Sequence, residues 1–328
     1  MLGERTEQQE LLAERSMNRG PSLDLDVLEA SGHHLAENHA AQELLYRLNH
    51  ARQTVDFVQR QAVRFSSLQH GEMDVWEALE MLNSLREYEA ALLGDEGCDP
   101  EMPLMEHALQ TAELCRREFP DEDWMALVGL IHGLGKLLAH QRCVTPLFNI
   151  IEEKSHATTE CIDKIVFNCR FGAQPQWCIC GESFPVGCRF HHGVVNSNFF
   201  QANPDRRRKM YSSPLGIYKK NCGLQSVYMS WSGPEYLYMV LAMNKTQLPA
   251  EALFLIRNQK FRSVLKPSQP YHELMSDWDK EQLPRLRKFI DIIEYKKRDI
   301  HGGLPISETK SYCSALIEKY IPQHILKW

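Results

Sequence analysis

No apolar run in this chain of 328 residues approaches the ~20 residues a bilayer-spanning helix needs. A membrane is therefore not expected as a partner. Residues 1 to 20 are rich in Glu, Gln and Arg and lack the apolar core of a secretory signal. Positive charge is not in excess either. The net charge of -6 gives no reason to expect nucleic acid as a partner. Ten cysteines without a secretory signal point to reduced thiols and a cytoplasmic protein, not to a disulfide framework. Residues 1–40 are polar and low in aromatics, and they read as a mobile leader ahead of a folded region, 41–328. At 43% apolar and 24% charged, the composition is that of an ordinary globular chain able to bury a large core.

What is present centres on one stretch, LVGLIHGLGKLLAH, residues 127–140. Apolar residues at 127, 128, 130, 131, 134, 137 and 138 keep helical spacing around His132, which Gly133, Gly135 and Lys136 follow. A second histidine, His107, sits in MEHALQTAE among Met105, Ala108, Leu109 and Ala112, again at helical spacing. Two readings stand for this pair. Each imidazole is a hydrogen-bonded core residue, or the two hold a metal between adjacent helices.

The rest of the chain reads as helices. Leu44, Leu45, Leu48 and Ala51 run into Val55, Phe57 and Val58 as one long helix, and Val75, Ala78, Leu79 and Leu82 make the next. Residues 94–103 carry turn chemistry, and helices are expected at about 104–118 and 122–139. Further helical sets lie at 226–244, 249–258 and 283–295, with Pro249 and Pro284 read as helix starts. The expected fold is an all-α bundle with one short β-hairpin near 176–190. WCICGESFPVGCRFHH groups Cys178, Cys180, Cys188, His191 and His192, either as a hairpin of small packed thiols or as a zinc site. NPDRRRKMYSS, 203–213, is a basic loop that either contacts phosphate or nucleic acid or is simply solvated.

HALQTAE, DEDWMALVGLIHGLGK, QPQW and FPVGCR follow one another in the order seen in myo-inositol oxygenases. NCGLQSVYMSW, EYLYMV, LPAEALFLIR and the terminal IEKY with Trp328 continue the series, and QTVDFV and MDVWEALEMLN extend it upstream. From about Leu45 to Trp328 the chain resembles that family. The resemblance implies an HD-domain-like helical bundle, acting as a monomer. It also implies cleavage of the myo-inositol ring by dioxygen to D-glucuronate at a pair of iron ions, held by four histidines and two aspartates. Carried over, Lys136 is catalytic and substrate-binding, and Glu87, Gly181, Glu182 and Lys297 bind substrate. Lys136 and Lys297 read equally well as helix-end caps on local sequence. Residues 141–170 have no counterpart in the family and form an insert, either disordered or a new surface. No counterpart of the family's N-terminal substrate arginine is found near SGHHLAENHA.

The iron ligands carry over unevenly. His107 and His132 stand at the first two histidine positions. The bridging aspartate is Gly133, the third histidine Gly233, the fourth Gln259 and the last aspartate Ile293. Two neutral imidazoles supply neither the bridging carboxylates nor the charge balance of a di-iron pair, so the ring-cleaving reaction is expected to be lost or very weak. A metal hydrolase of the same helical class requires the His-Asp pair that Gly133 interrupts. Rebuilding a metal site would need unaligned groups, and His191, His192, Glu235, Asp291 and Glu294 are the candidates.

Overall fold

The computed structural model describes residues 42–83, 103–139, 174–179, 181–266, 271–294 and 305–328. Residues 42–328 form one compact unit. The described part is helical, with α1 (42–52) and α2 (Val55–Phe65) leading to the short strand β1 (Glu72–Asp74) and α3 (Val75–Asn83). Next come α4 (Leu104–Glu118) and α5 (Trp124–Ile131), which runs into a 3-10 turn, Leu134–Ala139. After a long stretch of turns come α6 (Gly233–Met243), α7 (Ala250–Asn258), α8 (Asp277–Ile293), α9 (Ile306–Tyr320) and strand β2 (Ile325–Lys327).

The centre is α5. Every residue from Met125 to Ile131 is buried, as a helix apolar all round must be. Gly129 lets it lie close on α4, because a Cβ there would stand 2.9 Å from the Thr111 carbonyl oxygen. The 3-10 turn packs as tightly on α6, where a Cβ at Gly135 would fall 2.0 Å from the Gly233 carbonyl oxygen. The all-helical class is as expected. The strand pair joins distant parts of the chain, with Glu72, Met73 and Asp74 opposite Lys327, Leu326 and Ile325 in antiparallel register. Within 176–190 the strand-like contact among the described residues is a bridge from Pro185 to Met229.

Three helix boundaries differ from the periodicity reading. The helix expected through residues 44–58 breaks at Gln53 and Thr54. Gln53 turns its amide to the Trp231 backbone, donating to the carbonyl at 2.7 Å and accepting from the N–H at 2.9 Å. Thr54 then caps α2, its hydroxyl accepting from the Phe57 N–H. Pro284 does not open a helix but lies inside α8 on its exposed face. The start is a capping box, in which Ser276 and Asp279 each accept from the other's backbone N–H. The set expected from Ser226 is helical only from Gly233, where the Ser232 hydroxyl accepts from the Glu235 N–H. The insert at 141–170 lies outside the described residues.

Candidate functional site

His132 closes the C-terminal end of α5. Its Nδ1 lies 2.6 Å from the Gly129 carbonyl oxygen. A carbonyl only accepts, so Nδ1 carries the proton and Nε2 the lone pair. Burial holds the ring neutral, with its pKa pulled down to about 3. Desolvation is the main cause, with His107, Lys136 and Lys260 adding unfavourable charge, and the Gly129 bond opposes them. His107 sits in the first turn of α4, and its ring centroid is 5.5 Å from that of His132, edge to face. Its Nε2 donates to the Ile293 carbonyl oxygen at 3.1 Å.

The other four positions singled out in the sequence arrive at the same place. Gly133 follows His132, and among the described residues a Cβ there would meet Leu82 Cδ2 alone, at 3.7 Å. Gly233 is the first residue of α6 and lies against the backbone of Gly135 and Lys136. Gln259 closes the C-terminal end of α7, and Ile293 ends α8. The Gln259 amide donates to two carbonyl oxygens, His132 and Ile256, each at 3.0 Å. These oxygens belong to the last turns of α5 and α7, where helix geometry leaves carbonyls without a partner. One buried amide thus ties two helix ends together.

The expected substrate residues are divided. Lys136 is half-buried in the turn after His132. Gly181 adopts a left-handed backbone (φ +89) and abuts Tyr46. Glu182 is buried, and its two oxygens accept from the Val195 N–H at 2.7 Å and the Ser263 N–H at 2.6 Å. Its carboxyl is pushed up by burial, with those hydrogen bonds acting against the shift. Glu87 and Lys297 lie outside the described residues.

The groups named for rebuilding a metal site are spread through the structure. Glu235 is bound bidentately by Arg257, at 2.6 and 2.8 Å. Glu294 pairs with Arg262 at 2.5 Å, and Asp291 is exposed. His191 and His192 line a separate cavity. Cys178 and Cys188 are buried thiols, Cys188 pushed up to about 12 by desolvation, and Cys180 lies outside the described residues. Among the described residues no three His, Cys, Asp or Glu side chains are grouped to hold a metal ion. Sequence reasoning missed Lys260 and the Arg257–Glu235 pair, since neither belongs to a recognisable spacing.

A sequence profile of the myo-inositol oxygenase family matches residues 39–168 and 156–328. The chain is 36% identical over 293 residues to inositol oxygenase 1 of Arabidopsis thaliana, covering 89% of this chain and 82% of that one. It is 35% identical over 319 residues to inositol oxygenase of Rattus norvegicus (94% and 95% covered), and 36% identical over 288 residues to that of Homo sapiens (86% and 85%). The chain belongs to the myo-inositol oxygenase family.

The iron pair implied by the myo-inositol oxygenase resemblance can be tested against this donor set. A di-iron centre needs carboxylates to bridge the metals and offset their charge. At the six positions stand two imidazoles, two glycines, an amide and an isoleucine. Of these, His107 Nε2 and the Gln259 amide already bond helix-end carbonyls. The nearby charges acting on His132, those of Lys136 and Lys260, have the same sign as a metal ion. The residues at these six positions do not fit a di-iron centre.

Proposed function

We propose that this chain is a member of the myo-inositol oxygenase family that has given up ring cleavage and serves as a binding or regulatory protein, with a polyol of the inositol class as its ligand. The observation that carries this reading is the Gln259 amide, which bonds the ends of α5 and α7 where the resemblance puts an iron-bound histidine. The substitutions therefore form a packed, hydrogen-bonded replacement for a metal centre. Lys136 and Gly181 support the ligand class. Both match family positions beside the substrate, and the GLGK motif around Lys136 is intact.

A second reading is the oxygenase reaction itself, converting myo-inositol and dioxygen to D-glucuronate with iron. It is favoured by the names of the relatives, all inositol oxygenases. Thermal melting of the full chain, with and without a strong chelator and with and without myo-inositol, separates the two. Under the binding reading the chelator leaves the midpoint unchanged and myo-inositol raises it, by mass action on the folded state. A midpoint that falls with chelator supports the metal-dependent reading, and one indifferent to myo-inositol removes the polyol ligand.

A further inference from the structure

Two sequence motifs left unexplained above meet in space. Arg189, Phe190, His191 and His192, from the first, and Arg206 and Tyr211, from the basic loop, line a cavity of about 420 Å³. That volume is within the usual range for small-ligand sites. The loop is not open coil. It forms two consecutive 3-10 turns, Pro204–Arg207 and Lys209–Tyr211, held by the Asn203 side chain, which donates to the carbonyls of His50 and Gln53.

The electrostatics of this cavity are one-sided. Among the described residues, no Asp or Glu lines it. The nearest acid in sequence, Asp205, faces inward, accepting from the Val55 N–H at 2.7 Å and pairing with Arg208 at 3.3 Å. Among the described residues, the guanidinium groups of Arg189 and Arg206 have neither a carboxylate nor a hydrogen-bond acceptor. His191 accepts from the Gly193 N–H through Nδ1 at 2.9 Å, which leaves Nε2 as a donor. Its ring lies 4.0 Å from that of His192, centroid to centroid. Beside these donors, Phe190 stacks on Phe200 with centroids 4.3 Å apart.

We propose that this cavity binds the phosphate group of a small phosphomonoester, with Arg189 and Arg206 as the anion clamp and His191 as a neutral donor. Two planar guanidinium forks match the oxygens of a phosphate dianion better than point charges do. The site is independent of the one around His132 and does not rest on the function proposed above. Desolvation, His192 and Arg189 together hold the His191 pKa below its ordinary value, and a bound dianion acts in the opposite direction.

The test is calorimetric titration of the full chain with glycerol phosphate, inorganic phosphate and, as the uncharged control, glycerol. Both phosphates are expected to bind saturably and glycerol not to bind. Inorganic phosphate binding as tightly as the ester would mean that the phosphate alone is read, and tighter ester binding that the cavity wall contributes. Arg189→Gln and Arg206→Gln are each expected to weaken binding about tenfold or more. Arg206→Lys should retain part of the affinity, and Lys209→Gln, outside the cavity, all of it. Both arginines are exposed, so circular dichroism of the variants should match the parent. Proton NMR should show the His191 pKa rising on binding. No saturable binding, or undiminished binding by both Gln variants, overturns the proposal.

Discussion

At the scale of single residues, the centre of the molecule is a set of side chains that close helix ends. Gln259→Leu keeps bulk but leaves the His132 and Ile256 carbonyls without their donor. A loss of about 1–3 kcal/mol in urea unfolding is expected, and an unchanged midpoint would show that the amide does not hold the helix ends. His50 carries a pH dependence. It is fully buried, bonds the Val195 carbonyl at 2.8 Å and stacks on Phe200, and desolvation lowers its pKa to about 4 against the opposing pull of the Val195 bond. Its folded pKa lies below the unfolded one, so between them only the unfolded chain takes up the proton. This contribution is complete above about pH 6.5 and is lost as pH falls towards 4. By pH 4.5 the parent should have lost roughly 2 kcal/mol from this group, a loss that His50→Gln removes. Parallel urea titrations at pH 7 and 4.5 measure it.

In the sequence, intact motifs flank each of the six positions the resemblance marks and fix their register. The partners of the side chains at these positions were not legible. Gln259 and His107 bond backbone oxygens of residues 127 and 186 positions away, and no local pattern encodes such partners.

At the scale of elements, helix spacing was readable wherever an apolar stripe is sustained, as in α4 and α5. It failed where a side chain competes with the helix for the backbone, as Thr54 does at the break between α1 and α2. Proline was misread as a start in α8, although Ser276 and Asp279 three residues apart already carried the capping signal. The joint between the 3-10 turn and α6 is the tightest contact between elements near the site. Gly135→Ala would place a methyl group 2.0 Å from the Gly233 carbonyl oxygen, with backbone on both sides. A destabilisation of at least about 3 kcal/mol is expected, seen as a lowered melting midpoint or loss of folded protein. A midpoint within a degree or two of the parent would mean that this joint opens freely.

At the scale of the whole molecule, a helical scaffold of the myo-inositol oxygenase family surrounds two imidazoles, two glycines, an amide and an isoleucine at the six positions the resemblance marks. α5, α7 and α8 end beside one another, and Trp328 is buried. The Trp328 backbone bonds His70 and Gly71 at 2.7 and 2.9 Å, anchoring the C-terminus beside β1. Hydrogen bonds to helix-end carbonyls now stand where the resemblance puts metal bonds, so folding should be independent of iron. The most direct measurement is iron per chain on anaerobically purified protein, with myo-inositol-dependent oxygen uptake followed on the same sample. The expected result is no stoichiometric iron and no oxygen uptake from a chain that is folded and helical. Two iron ions per chain, with D-glucuronate formed, would contradict it.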